Sequence, residues 1–210
     1  MNVQQIYSTY RVPSNLQQHM LRVAAVAYSI LQGWTGEPVN KEAIIQTCLF
    51  HDIAKPVTFD MQKQRRYVST EEELQEVASL KQWLLETYGS NEHAAAEKIF
   101  LEIGVIPKAI QLLQNLEWSY IPKLLLQDDI ESLLPIYADM RIGPQGILSL
   151  EDRLTDLASR ATVEDFDQQE QSGKHLESLV RKQTTTNLDT MSDEDIAAVI
   201  EKELSQFEIK

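Results

Sequence analysis

Apolar residues recur along most of the chain at intervals of three and four positions, which is the spacing of one face of an α-helix. The first such segment runs from Asn15 to about Leu31, and Ser14 with Gln17 has the form of a capping box in front of it. A second helix is predicted from about Lys41 to Ala54, because Pro56 cannot continue it.

The same spacing continues through the middle of the chain. Ser69 or Thr70 is predicted to cap a helix that starts with acidic residues and reaches about Tyr88, where Gly89 ends it. Further helices are predicted at Asn91 to Glu102, Pro107 to Glu117, Asp129 to about Met140, and Leu150 to about Ser159. Only seven glycines and seven prolines interrupt the chain, and no stretch alternates between apolar and polar residues as a strand would. The sequence therefore predicts an all-α fold.

The C-terminal part of the chain is more acidic than the rest. From Glu151 onward it holds 15 acidic and 7 basic residues, and it contains a predicted polar helix around Asp165 to Lys182 and a final helix after Ser192. We expect residues 1–160 to form the main domain and residues 161–210 to form an acidic helical extension. The extension is interpreted as a solvated tail packed loosely on the body, with an acidic docking surface for a protein partner as the alternative.

Charge and composition narrow the classes of function. The chain carries 32 acidic against 19 basic residues, and a net charge of −13 disfavours long nucleic acids and anionic membranes as partners. No apolar run approaches the roughly 18 residues that a membrane span needs, and the first residues do not resemble a secretory signal, so a cytoplasmic location is expected. The single cysteine, Cys48, excludes an internal disulfide and a cysteine-based zinc finger. The oligomeric state stays open.

The few histidines of the chain lie in informative positions. His19 interrupts the apolar face of the first helix, His51 and Asp52 lie near the end of the second, and Asp139 follows another apolar stretch. A carboxylate at the end of an apolar helix is costly unless it is paired or bound to a cation. Alone, the His51-Asp52 pair is more simply explained by the favourable position of a histidine at a helix C-terminus. Together, three helices would each supply an inward polar group of the kind that divalent metals accept.

The order of these residues resembles the HD superfamily of metal-dependent phosphohydrolases. His19 is followed by His51 and Asp52 in the string LFHDIAK, and then by Asp139 in the string YADMR. The similarity covers about residues 12–160. It implies an all-helical bundle in which His19, His51, Asp52 and Asp139 bind one divalent metal ion. It also implies the hydrolysis of phosphomonoesters or phosphodiesters, often in nucleotides.

The resemblance also implies roles at this site. The ion would be Fe, Mn, Ni, Co, Zn or Mg, since histidine nitrogens with carboxylates suit several divalent metals. Such an ion polarises a phosphoryl oxygen and lowers the pKa of a water molecule that attacks it. Asp52 is expected to orient that water as a catalytic base as well, with a bridge to a second metal as the alternative. Lys55 is expected to contact the substrate phosphate, with a solvated lysine at a helix end as the alternative.

Three more residues are candidate substrate contacts. Arg66, in the basic loop after the second helix, is a candidate to guide the anion, although such surface charges are commonly inert. Arg141 is predicted either to contact phosphate or to form a salt bridge. His93 begins a helix where family members with two metals often place another ligand. No histidine occurs between His93 and Asp139, so we expect one metal, with His93 as an acid or phosphate contact.

The expected function is hydrolysis of a small phosphorylated molecule, and a nucleotide is the preferred substrate. Two other classes stay open at this stage. One is a catalytically inactive helical module that keeps a metal or nucleotide as a regulatory ligand. The other is a structural bundle in which the His51-Asp52 pair is a coincidence. Turnover that disappears on Asp52→Ala would favour the enzyme, and bound ligand without turnover would favour the module.

Overall fold

The computed structural model describes residues 1–159 and 166–209. Within these ranges the α-helices are α1 (Val3–Thr9), α2 (Ser14–Gln32), α3 (Lys41–Phe50), α4 (Met61–Gln64), α5 (Glu71–Tyr88), α6 (Glu92–Ile103), α7 (Pro107–Gln114), α8 (Ile121–Leu126), α9 (Ile130–Met140), α10 (Leu150–Ala158), α11 (Phe166–Gln183) and α12 (Asp193–Val199). In the same ranges, the strands are β1 (Ile142–Gly143) and β2 (Gly146–Ile147), which form a short antiparallel hairpin. The prediction of an all-α fold is confirmed.

The first predicted helix is present, but its predicted capping box is not. Helix α2 begins at Ser14 itself, and Pro13 precedes it without a side-chain cap. Gln17 instead donates from Nε2 to the carbonyl oxygen of Val12 at 2.7 Å. Because Ser14 is already helical, its hydroxyl does not occupy the position from which a capping box is formed.

The second predicted helix ends earlier than expected. Helix α3 stops at Phe50, and residues 51–54 form a turn that leads into a 3₁₀ helix, Lys55–Thr58. Pro56 lies in the first turn of that 3₁₀ helix, where a missing backbone N–H costs little. The predicted end at Ala54 was therefore wrong. The consequence is that His51 and Asp52 lie where the chain leaves a helix and turns.

Several predicted caps are present in the structure. Thr70 and Glu73 form a capping box at the start of α5. Gly89 follows the end of α5 with a φ of 95°, a conformation that favours glycine. Asn91 and Ser149 likewise accept hydrogen bonds from the first turns of α6 and α10. Helix starts of this kind can be predicted from the sequence, because a capping side chain acts on residues that are near it in the chain.

Helix α3 lies at the centre of the bundle. It packs against α2, α7 and α9, and Ile44, Leu49 and Phe50 are completely buried. Burial of each such side chain stabilises the fold by about 1.5–3 kcal/mol relative to exposure. Since the neighbours of α3 enclose it, the position of its C-terminal end is fixed by the core of the protein. In the described ranges, no helix has both the length and the apolar character required to cross a membrane.

The C-terminal helices belong to the same core. Helix α11 packs against α8 and α9, and α12 packs against α2. The buried side chains of this part of the chain are Leu176, Val180, Leu188, Ile196 and Leu204. The backbone N–H of Val3 donates to the carbonyl oxygen of Phe207 at 3.1 Å, so the two ends of the chain meet. The expectation of loose packing is wrong for these residues, because their helices turn apolar faces inward.

The expected domain boundary between residues 160 and 161 lies outside the described residues, as does the predicted start of the polar helix at Asp165. The division into a main domain and an extension stays a prediction. The same holds for an acidic docking surface on the C-terminal helices.

Candidate metal centre

Three helices bring the four predicted ligands to one place. His19 lies in the second turn of α2, and Asp139 lies in the last turn of α9. His51 and Asp52 directly follow the end of α3. Because α2 packs against both α3 and α9, their side chains converge.

The distances within this cluster are short. Nε2 of His19 lies 3.0 Å from Oδ1 of Asp139 and 3.8 Å from Oδ2 of Asp52. Nε2 of His51 lies 3.7 Å from Oδ1 of Asp139 and 3.9 Å from Oδ2 of Asp52. Three ligand atoms, one from each of His19, His51 and Asp139, all lie within 4.8 Å of one another. Ligands that sit about 2.1 Å from one ion are roughly 3–4 Å apart, so these three residues are close enough to bind one metal.

The imidazole of His51 is held in a fixed orientation. Its Nδ1 lies 2.9 Å from the carbonyl oxygen of Cys48, one turn earlier in α3. A carbonyl oxygen only accepts hydrogen bonds, so Nδ1 is the donor and Nε2 points toward the carboxylates. This arrangement, in which a backbone carbonyl orients the ring from behind, is common for histidines that bind metals.

The other nitrogen of His51 provides a test of whether the residues fit a metal. The side chain is only 3% exposed, and Nε2 is buried without a hydrogen-bond partner. A buried nitrogen without a partner is unfavourable in a closed fold. Together with the imidazole of His19 and the carboxylates of Asp52 and Asp139, the His51 nitrogen forms a set of nitrogen and oxygen donors that first-row divalent ions accept. The residues therefore fit such an ion.

Without a metal, the charges of the cluster favour a proton on the histidine nitrogen that a metal would use. Burial lowers the pKa of His51, but Asp52 and Asp139 raise it more, and the net pKa rises to about 9. Burial raises the pKa of Asp139, but the neighbouring imidazoles of His19 and His51 outweigh burial and hold it well below its usual range. At neutral pH the metal-free cluster thus contains a protonated His51 beside an ionised Asp139. A proton and a metal ion compete for the same nitrogen.

Lys55 lies at the edge of the cluster and is held by acidic residues. Its Nζ lies 3.1 Å from Oε1 of Glu92 and 3.8 Å from Oδ1 of Asp52. The hydroxyl of Thr58 donates to Oε2 of Glu92 at 2.7 Å, which fixes that carboxylate. Burial lowers the pKa of Lys55, whereas Asp52 and Glu92 raise it, and the net shift is upward. Lys55 is therefore a charged donor beside the cluster, and it lies in the 3₁₀ helix that follows α3.

The cluster lines an open cleft of about 690 Å³. This volume is within the range of small-molecule sites, roughly 300–1,000 Å³. Other side chains lining the cleft come from several separate segments and include Arg22, Phe59, Tyr67, Glu92, Trp118 and Arg153. The candidate metal centre is thus accessible to a small ligand rather than closed inside the core.

His93 lies in the same cleft, and its predicted role stays a prediction. Its side chain is 48% exposed, and Nε2 lies 2.6 Å from Oε1 of Glu117. Across the residues that the structure describes, the group of ligand atoms close enough for one ion consists of His19, His51 and Asp139, and it includes neither Asp52 nor His93. The expectation of a single metal stays a prediction.

Two candidate substrate contacts lie elsewhere. Arg141 is 3% exposed, and its guanidinium donates to the carbonyl oxygens of Leu148 and Leu188 at 2.6 Å and 2.9 Å. It also donates to the hydroxyl of Tyr137 at 3.0 Å. These bonds tie α9 to the hairpin and to the C-terminal segment, so they contradict the predicted phosphate contact. Arg66 is exposed and does not line the cleft, and the structure gives no support to its predicted contact.

Comparison with known families identifies the class of this protein. The model of the family described as HD domain matches residues 16–110, a segment that includes His19, His51 and Asp52. Residues 16–110 therefore belong to the HD-domain superfamily, and most members of that superfamily are metal-dependent hydrolases of phosphoesters. The matched segment ends before Asp139, which joins the cluster through the packing of α9. No curated protein and no solved structure matches the chain.

Sequence reasoning did not identify four residues of the cleft as functional. Arg22 stands three positions after His19, and this helical spacing could have placed it on the same face. Trp118 gave no functional signal, because a lone tryptophan is typical of a core or groove lining. Glu92 and Arg153 gave no signal, because their place in the cleft depends on how distant helices pack.

Proposed function

We propose that this protein is a metal-dependent phosphohydrolase that cleaves a phosphomonoester or phosphodiester bond in a nucleotide or another small phosphorylated metabolite. One observation carries the proposal. The buried Nε2 of His51 has no hydrogen-bond partner, and it lies beside His19 and Asp139 in an open cleft. A buried histidine nitrogen without a hydrogen-bond partner is uncommon in a closed fold, whereas a metal centre uses such a nitrogen as a ligand.

The metal ligands in this proposal are His19, His51, Asp52 and Asp139. When bound, a divalent ion supplies Lewis-acid stabilisation of phosphoryl oxygens and acidifies an attacking water molecule. Asp139 makes the shortest contact within the cluster, at 3.0 Å from Nε2 of His19, and it is the primary carboxylate ligand of the proposal. Asp52 makes longer contacts with both imidazoles, which leaves it available for a second role.

That second role of Asp52 is to handle a proton. One oxygen of its carboxylate lies beside the imidazoles, and the other lies 3.8 Å from Nζ of Lys55. From this position Asp52 orients the attacking water and accepts its proton, as a general base does. The ammonium group of Lys55 then donates to an oxygen of the phosphoryl group, where negative charge develops. Glu92 holds Lys55 in position and is itself held by Thr58.

Size and charge support a small substrate. A cleft of about 690 Å³ accepts a ligand the size of a nucleotide. A net charge of −13 repels long polyanions from the surface as a whole, so a nucleotide is favoured over a nucleic acid. His93 lies at this cleft and is proposed to contact the leaving group or the phosphate.

The test is the hydrolysis of a panel of nucleotides and simple phosphoesters by the protein loaded with Mn²⁺. It is followed as release of inorganic phosphate from phosphomonoesters and as release of the alcohol from phosphodiesters. Asp52→Asn should lower turnover by about 10²- to 10⁴-fold, the usual contribution of a general base. Asp139→Asn should remove both metal and turnover. Asp167→Asn, an exposed carboxylate on α11, is the matched control and should leave turnover unchanged. Tight binding of a nucleotide without turnover of any substrate would overturn the proposal in favour of a regulatory module.

A further inference from the structure

Three side-chain nitrogens in the described parts of the chain are buried without a hydrogen-bond partner. They are Nε2 of His51, Nε1 of Trp118 and Nε of Arg153. All three residues line the same cleft. Folded proteins satisfy nearly all buried donors, so their concentration in one cleft indicates that a ligand completes them. A metal ion accounts for His51, but it cannot account for the two donors, which need an acceptor.

Arg22 adds a second observation on the same cleft. It stands three residues after His19 on α2 and also lines the cleft. Its guanidinium makes no hydrogen bond or ion pair with any residue in the described ranges. Outside the cleft, Arg65 and Arg181 are paired with carboxylates. The other described arginines there either bond to carbonyl oxygens, as Arg141 does, or are exposed to solvent rather than half-buried. In a chain with 32 acidic residues, a half-buried arginine without a carboxylate is unexpected unless it serves a ligand.

Arg153 reaches the cleft from a different helix, α10. Its side chain is 17% exposed, and Nη1 lies 3.1 Å from Oδ2 of Asp156, a carboxylate that also interacts elsewhere. Nε of Arg153 has no acceptor. An arginine carries five donors in a planar fork, which suits the oxygens of a phosphate, and one carboxylate contact leaves part of that fork unused.

The charges in the cleft show which cations are available to a substrate. Asp52 and Asp139 together would balance a divalent ion, Glu92 lies against Lys55, and the remaining carboxylate of the cleft, Glu117, lies against His93. The positive charge that has no such balance belongs to Arg22, with a part from Arg153. A phosphomonoester is a dianion at neutral pH, since its second pKa is about 6, whereas a phosphodiester carries one charge.

We propose that Arg22 and Arg153 bind the phosphate of the substrate, and that they make the cleft selective for dianionic phosphomonoesters over monoanionic phosphodiesters. This inference rests on the proposed hydrolase function and narrows its substrate class. Lys55 then assists the reaction, while the two arginines supply most of the binding. The two arginines belong to different helices, Arg22 to α2 and Arg153 to α10.

The test uses binding to the metal-free protein at pH 8, measured by calorimetry, so that it does not depend on catalysis. The probes are methyl phosphate, a dianion, and dimethyl phosphate, a monoanion. Wild-type protein should bind methyl phosphate more tightly. Arg22→Ala and Arg153→Ala should each weaken that binding about tenfold or more, the usual contribution of a charged hydrogen bond, and should abolish the preference. Alanine preserves α2 and α10, because it is the best helix former.

The matched control is Arg181→Ala, which removes an arginine from the exposed face of α11 and should leave binding unchanged. Arg22→Lys should recover only part of the affinity, because a lysine keeps the charge but not the fork. Unchanged affinity for methyl phosphate in both alanine variants would overturn the inference, even if the Mn²⁺-loaded protein hydrolyses phosphoesters. Arginine-dependent binding together with no turnover in wild type would instead overturn the hydrolase proposal.

Discussion

The raised pKa of His51 leads to a quantitative prediction for metal binding. His51 must lose its proton before Nε2 can bind an ion. With a pKa of about 9, its imidazole is about 90% protonated at pH 8, whereas an imidazole of ordinary pKa would be only about 3% protonated. Binding of Mn²⁺ at pH 8 should therefore release close to one proton from this residue. From this proton alone, the apparent affinity should rise nearly tenfold between pH 7 and pH 8.

Calorimetry measures this release directly. The binding enthalpy of Mn²⁺ is determined at pH 8 in two buffers with different ionisation enthalpies, and the dependence on buffer gives the number of protons. His175→Ala, which removes an exposed histidine from α11, is the control and should release the same number. A value near zero for wild type would refute the reasoning, because it would show that the carboxylates of Asp52 and Asp139 do not hold a proton on His51.

Three further predictions concern stability. In the metal-free protein, the pKa of His51 is raised above its value in the unfolded chain. The contribution of His51 to the free energy of unfolding is therefore complete below about pH 6.5 and is lost as the pH rises through 9. Urea unfolding should show a lower free energy of unfolding at pH 9 than at pH 6, and equal values would contradict the prediction. Arg141→Ala should lower the free energy of unfolding by about 2–6 kcal/mol, because it leaves the carbonyl oxygens of Leu148 and Leu188 unpaired at about 1–3 kcal/mol each. A loss below about 1 kcal/mol in the same assay would argue against its structural role. Tyr7→Phe removes a buried hydrogen bond of 2.7 Å to the carbonyl oxygen of Leu49 and should lower the free energy of unfolding by about 1 kcal/mol in the same assay. An unchanged midpoint of urea unfolding would show that this bond does not hold α1 to α3.

Much of the fold could be predicted from short-range patterns. The starts of α5 and α10 follow from Thr70 and Ser149, because a capping side chain acts within its own first turn. The candidate ligands were also found from sequence, since a histidine or carboxylate in an apolar helix needs a partner wherever the helix packs. The end of α3 was not predicted correctly. Pro56 can begin a 3₁₀ helix as well as end an α-helix, and the spacing of apolar residues does not distinguish the two.

The parts of the site that the sequence did not reveal depend on tertiary packing. Arg141 follows a predicted ligand by two positions, yet the hairpin and the C-terminal segment enclose its guanidinium. Arg22 and Arg153 are ordinary helix residues by their local pattern. The packing of α2 and α10 around one cleft is what shows that Arg22 has no carboxylate partner and that Arg153 has an unused buried donor. No local rule distinguishes such arginines from those on the surface.

The most direct test of the central claim is the metal content of the protein after reconstitution with Mn²⁺ and removal of free ions. Elemental analysis should find about one ion per chain in wild type and in His175→Ala, as expected for a centre with one set of ligands. His51→Ala and Asp139→Asn should retain little or none. A wild-type protein without metal, or equal metal content in all four proteins, would contradict the assignment of these side chains as a metal centre.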